Sequence, residues 1–150
     1  QIAFNVIPQC DVFLDNDFTK EEMKLTWETH KIIDPNIFVQ ATCVRVPVFN
    51  GHSEAVFCKV SKNTSRAHLI QLLKNSEGIH VIDNPEKLEY PTPVEHANDT
   101  EDVFVGRIRV QEHAEKNWLS LWIVADNVYG KGAALNAVQI AERLLATNKF

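Results

Sequence analysis

The stretch "ATCVRVPVFNGHSEAVF", from Ala41 to Phe57, constrains the fold more than any other part of the chain. Two β-branched, apolar runs, residues 37–49 and 52–60, flank an Asn50-Gly51 pair. Asn-Gly is the strongest short hairpin signal, because both central residues of a type I′ turn need positive φ. A two-residue turn here sets Phe49 opposite His52, Arg45 opposite Val56 and Cys43 opposite Cys58. Directly opposed residues of an antiparallel pair project from the same face. Arg45 and His52 are therefore expected on one side of the sheet, roughly 13 Å apart along it. Pro47 works against this arrangement, since it has no N–H to donate and marks an edge or a bend.

The remaining chain alternates helical and extended patterns. Residues 1–18 read as a connector interrupted by Pro8. Thr19 followed three residues later by Glu22 is a capping box opening a helix that runs to about Ile33, where Asp34-Pro35 ends it. "TSRAHLIQLL", from Thr64, predicts a second helix ending near Gly78, and "IHVID" a short strand. Residues 83–101 contain proline and acidic residues without period and predict a long loop. "DVFVGRIRV" and "WLSLWIVAD" predict two strands joined by the polar turn "QEHAEKN". A loop with Gly130 and Gly132 then leads to a helix over about Gly132 to Thr147, with Ala134, Val138, Ala141 and Leu145 on one face. Trp118 and Trp122 share one face of their strand and are expected in the core. This order predicts an α+β domain: a mixed, largely antiparallel sheet covered on one face by helices.

Charge and cysteine usage narrow the function. At 150 residues the chain is long enough to bury a core as one domain. A formal net charge of -5 argues against nucleic acid as partner, because neutralising phosphates needs clustered Lys and Arg. No apolar run reaches the roughly 20 residues of a membrane span, and no signal-peptide pattern opens the chain. The three cysteines form no CxxC pair, which points to a reducing, cytoplasmic setting. The six histidines include no HExxH, so no metal site is expected. The chain lacks an initiator Met and enters in mid-pattern, as expected of a segment cut from a longer protein.

Three groups of residues are candidates for chemistry. Arg45 offers a planar fork suited to a carboxylate, and His52 a ring able to accept and return a proton. Alternatively, Arg45 extends to water and His52 merely follows a turn. On the first helix, Glu21, Lys24, Glu28 and Lys31 form one stripe. It is either an exposed ion-paired face or, at Glu21 and Lys24, an anion site in the first turn. Asp126-Asn127, before the glycine loop, is a weaker candidate for a ligand contact.

The stretches "NVIPQCDVF", "TKEEMK", "ATCVRVPVFNGHSEAV", "FVGRIR" and "DNVYGKGAALNAVQIAE" occur in this order across nearly the whole chain. Together they resemble the carboxy-terminal half of the bacterial aspartate-semialdehyde dehydrogenase family. The resemblance implies a glyceraldehyde-3-phosphate-dehydrogenase-like carboxy-terminal domain used for substrate binding and dimerisation. It implies the NADP-dependent reductive dephosphorylation of β-aspartyl phosphate to the semialdehyde, a step toward lysine, methionine and threonine. By the same resemblance His52 is the acid/base, Arg45 grips the substrate carboxylate, Glu21 and Lys24 support substrate and phosphate binding, and Asn127 lies beside the nicotinamide cofactor. The nucleophilic cysteine and the NADP-binding domain are expected upstream, since Cys10, Cys43 and Cys58 match no nucleophile motif. The segment alone is then expected to be inactive. The last helix is expected to pack against that absent domain, leaving its apolar stripe partly uncovered. A homodimer through a broad sheet face is expected as well. N-acetyl-glutamyl-phosphate reductase, which shares the chemistry, and a stand-alone binding or dimerisation module are the alternatives.

Overall fold

The computed structural model describes residues 1–113 and 116–147, and the chain forms two compact units, residues 1–47 and 48–150. The first unit is built around helix α1, Lys20–Ile32. Its capping box forms as the sequence requires: Glu22 N–H donates to Thr19 Oγ1, and Thr19 N–H donates to Glu22 Oε2 at 2.7 Å. Residues before and after the helix are irregular. They are tied by single antiparallel bridges, Phe13 with Thr19 and Ile7 with Arg45.

The second unit holds a four-stranded sheet in the order β1-β4-β3-β2. Strand β1 is His52–Val60, β2 Ile79–Val81, β3 Val103–His113 and β4 Lys116–Ala125. The pairs β1/β4 and β4/β3 are antiparallel and β2/β3 is parallel. Helix α2, Arg66–Lys74, is capped by Ser65 and lays Leu69, Ile70 and Leu73 on one sheet face, against Val105, Ile108, Leu119, Leu121 and Ile123. The expected mixed, largely antiparallel α+β architecture is thus present.

The other face is only partly covered. There the loop before β3, expected to lack structure, contains a 3-10 turn at Pro85–Lys87 and the one-turn helix α3, Pro93–His96. His96 packs on Phe104, and Trp122 Nε1–H donates to the Pro91 carbonyl. Toward the far end of β1 and β4 this face lies open: Phe57 is 71% and Trp118 40% exposed. The expectation that Trp118 is core fails, because the residues that bury this face sit over Trp122 and Val124. Trp118 instead lies under the Lys59 ammonium, 5.6 Å from the ring centroid.

The hairpin at Asn50-Gly51 does not form. Strand β1 pairs with β4, setting His52 opposite Ala125, Val56 opposite Leu121 and Cys58 opposite Leu119. Of the turn pair Gly51 alone has positive φ, +88°, where a type I′ turn needs two such residues. The Gly51 amide is spent on the Asn127 side chain, and Pro47 cannot donate to a ladder. The oppositions expected for Phe49, Arg45 and Cys43 fall with the hairpin, and among the described residues the three cysteines form no disulfide.

Strands β3 and β4 run further into "QEHAEKN" than expected, to His113 and from Lys116. The tip of that turn, Ala114-Glu115, lies outside the described residues. A bulge interrupts the β3/β4 register between Gly106 and Arg109, with Arg107 at φ +51°. The buried Asp83 carboxylate holds the bulge, accepting from the Arg107 and Ile108 amides at 2.9 and 3.0 Å and pairing with Arg66 at 2.6 Å. The bulge returns Ile108 to the core face. The last helix, α4, Ala134–Ala146, buries no residue fully, and Val138, Ile140 and Leu145 are exposed. Among the described residues no helix is long and apolar enough to cross a membrane.

Candidate functional site

The candidate residues fall into two groups, one in each unit. In the first unit Glu21 and Lys24 sit in the opening turn of α1, half-exposed and 3.1 Å apart. The hydrogen bond that the Lys24 ammonium donates to Glu21, more than the added attraction of Glu28 and Asp11, raises the Lys24 pKa. Between these two lies Glu22, buried, whose carboxylate has two jobs. Oε2 closes the capping box, and Oε1 accepts the backbone N–H of Cys43 at 2.9 Å. The backbone bonds from Thr19 and then Cys43 hold the Glu22 pKa below its ordinary value despite the opposing effect of burial.

Cys43 lies two residues before Arg45. Arg45 is itself pinned by a reciprocal backbone pair with Ile7, at 2.8 and 3.0 Å, and its side chain is exposed. Glu22 therefore ties the first helical turn to the arginine segment, and Ile7 separately pins the Arg45 backbone. Sequence reasoning identified Glu22 only as a cap. Its second bond spans 21 residues and follows no period.

In the second unit His52 opens β1 as an exposed side chain, paired in register with Ala125, the last residue of β4. The next residues of β4's exit turn, Asp126 and Asn127, organise the surroundings. Asn127 Oδ1 accepts the Gly51 N–H at 3.0 Å, which places the candidate cofactor contact beside the residue preceding the histidine. Asp126 is buried and accepts the amides of Val128 and Tyr129, each at 2.8 Å, and of Asp99 at 3.0 Å. The Val128 bond is the largest of the influences that lower its pKa.

Gly51 fits because it has no side chain. An added Cβ would stand 2.3 Å from Ala97 Cβ, and Asn50 Nδ2–H donates to Asn98 Oδ1 at 2.7 Å alongside. Gly132 is similarly close to the backbone of Asn127, where a Cβ would come within 2.4 Å of Cα. Both glycines serve close chain approach. The hydroxyl of Ser53, next to His52 but on the opposite sheet face, is buried without a partner among the described residues.

The structure thus brings Glu21 to Lys24 and Asn127 to the neighbour of His52. With the hairpin goes the geometric argument that put Arg45 and His52 on one face. A cleft of about 250 Å³ lined by Tyr90, Pro91, Thr92, Pro93, Arg107 and Trp122 contains none of the candidates. Cys58 faces the core, and burial raises its thiol pKa, the opposite of what an attacking thiolate needs. Among the described residues no group of three or more His, Cys, Asp or Glu side chains could hold a metal ion.

A mixed sheet with a helix on one face and a partly open second face defines an α+β domain of the glyceraldehyde-3-phosphate-dehydrogenase-like carboxy-terminal class. Residues 1–129 match the model of the semialdehyde dehydrogenase dimerisation domain. The chain belongs to that family. Aspartate-semialdehyde dehydrogenase of Aquifex aeolicus is 53% identical over 146 residues, which are 97% of this chain and 42% of the relative. The crystal structure of aspartate semialdehyde dehydrogenase II from Vibrio cholerae, complexed with ASA, superposes with a TM-score of 0.88 at 48% identity, covering 97% of this chain and 42% of that one. The Candida albicans enzyme with NADP gives 0.74 at 26% identity, over 99% of this chain and 46% of that one. The chain spans about two fifths of the length of the curated relatives it matches.

Proposed function

We propose that this chain is the substrate-binding and dimerisation part of a cytoplasmic, NADP-dependent aspartate-semialdehyde dehydrogenase, acting on β-aspartyl phosphate in amino-acid biosynthesis. The observation that carries the reading is the clamp at Glu22. It ties the turn bearing Glu21 and Lys24 to the segment bearing Arg45, the cation suited to a carboxylate. Identity of about half to named aspartate-semialdehyde dehydrogenases supports it.

In this reading a small doubly anionic substrate is held at two ends. Arg45 offers a two-pronged donor set to the carboxylate, and Lys24, kept protonated by Glu21, neutralises the phosphoryl oxygens. His52 takes the proton of a nucleophilic thiol supplied by chain outside these residues. The thiolate's attack on the acyl carbon breaks the bond to phosphate. General acid–base help of this kind contributes about 10²–10⁴-fold. The Asn127 amide, its oxygen committed to Gly51, would have its donor end left to help hold NADP(H). When bound, NADPH supplies the hydride that turns the acyl group into the aldehyde. Segments outside these residues hold most of that cofactor.

The open sheet face around Phe57 and Trp118 is the surface we assign to a homodimer, and the exposed apolar stripe of α4 to the cofactor-binding domain. The test is turnover by the full-length protein. NADPH oxidation with β-aspartyl phosphate and little with N-acetyl-glutamyl phosphate supports the proposal. Turnover of the acetylated substrate alone selects the reductase, and turnover of neither selects a non-catalytic module. A monomer in light scattering at high concentration removes the dimer.

A further inference from the structure

The carboxylate of Glu22 does more than cap a helix. A capping box needs one carboxylate oxygen, reaching back to the N-cap amide. Here Oε2 makes that bond to Thr19, and Oε1 reaches across the chain to the amide of Cys43 at 2.9 Å. Both acceptors belong to one planar group, so the geometry of the α1 first turn dictates where the Cys43 amide sits. Arg45 follows two residues later. Glu22 is buried, whereas its neighbours Glu21 and Lys24 are exposed by 40 and 42% at their side chains. An exposed pair on a flexible lysine stem is a poor ruler, and a buried carboxylate with two backbone amides is a rigid one.

We propose that Glu22 is a positioning residue that sets the distance between the anion-binding turn carrying Glu21 and Lys24 and the carboxylate-binding Arg45. It touches no substrate itself. The inference rests on the reading that Arg45 binds the substrate carboxylate. Misplacing a binding group by about 1 Å can cost on the order of 10²-fold in rate. Glutamine at position 22 keeps the size and one carbonyl acceptor but replaces the second acceptor with a donor, which cannot serve an N–H.

The experiment measures kcat and KM for β-aspartyl phosphate in the full-length protein carrying Glu22→Gln, Arg45→Leu, and both. Hydrogen exchange of the Cys43 amide is followed in the folded state. The expected result for Glu22→Gln is a KM raised about tenfold, the scale of one lost charge-assisted hydrogen bond, with faster exchange at Cys43. In the Arg45→Leu background the same substitution should change KM less than twofold, because the group it positions is gone. Glu22→Asp, too short to span both amides, should not rescue. If Glu22→Gln lowers only the amount of folded enzyme and leaves KM alone, the residue is merely structural and the proposal fails. Equal effects of Glu22→Gln with and without Arg45 likewise overturn it. If Arg45→Leu alone leaves KM unchanged, it is the substrate-site assignment that fails instead.

Discussion

Gly51→Ala is expected to be among the most damaging single-methyl additions in the second unit, and the structure says by how much. Gly51 holds φ +88°, and a side chain held in so sparsely populated a region costs about 1–3 kcal/mol. The new Cβ would stand 2.3 Å from Ala97 Cβ, where carbon contacts prefer about 3.5–4.0 Å. Ala97 is fully buried and cannot swing aside. Forcing a methyl into such packing costs a further 1–3 kcal/mol or so. The sum, about 2–6 kcal/mol, compares with a stability of about 5–15 kcal/mol for a typical protein. The two parts are separable. Ala97→Gly removes the clash with the Ala97 methyl but neither the backbone cost nor the 3.1 Å approach to the Ala125 carbonyl, so in a double-mutant cycle it should return about 1–3 kcal/mol to Gly51→Ala. Urea unfolding of the four full-length proteins measures this directly. A Gly51→Ala variant within about 0.5 kcal/mol of the parent, or a coupling near zero, would refute the claim that the Gly51–Ala97 approach fixes the start of β1.

Three further outcomes follow from particular residues. Ser53→Ala removes a buried hydroxyl without a partner among the described residues and should leave stability unchanged or raise it by up to about 1 kcal/mol; a clear loss by thermal melting would mean the hydroxyl is satisfied in the assembled protein. Asp126 has a folded-state pKa below its ordinary value of 3.8, so its contribution is complete above that value and is lost as pH falls through the lower folded one. Asp126→Asn should therefore flatten the acid limb of the unfolding profile, and an unaltered limb would contradict the role given to the carboxylate. Lys24→Ala breaks an exposed pair and should change stability by less than about 0.5 kcal/mol while raising KM for the acyl phosphate; a large loss of stability with unchanged KM would reverse that assignment.

The elements that local chemistry specifies were legible in the chain. The capping box of α1, the α2 period, the β3 and β4 runs and the last helix each rest on residues within a few positions of one another. The second strand of the supposed hairpin was also legible as a strand, but its partner was not. Asn-Gly offers a turn, but only Gly51 takes positive φ and the run of residues 37–49 before it forms no strand. Strand β4, far along the chain, pairs with every position from His52 to Val60 and leaves β1 at the edge of the sheet. Two-residue alternation cannot say which apolar run supplies a strand's partner. Trp118 misled for a related reason: strand alternation reveals that Trp118 and Trp122 share a face, but not how far the residue 90–100 loop extends over it. At the candidate site, residue types suited to the chemistry were visible in Arg45, His52, Glu21 and Lys24. The groups that hold them, Glu22 through Cys43 and Asn127 through Gly51, act over 21 and 76 residues and leave no periodic trace.

Steady-state kinetics of His52→Asn and Arg45→Leu in the full-length protein, with β-aspartyl phosphate and NADPH, tests the central claim most directly. Loss of the proton shuttle should lower kcat by about 10²–10⁴-fold with KM little changed, whereas loss of the carboxylate grip should raise KM and lower kcat together. Kinetics within about twofold of the parent in both variants would contradict the account.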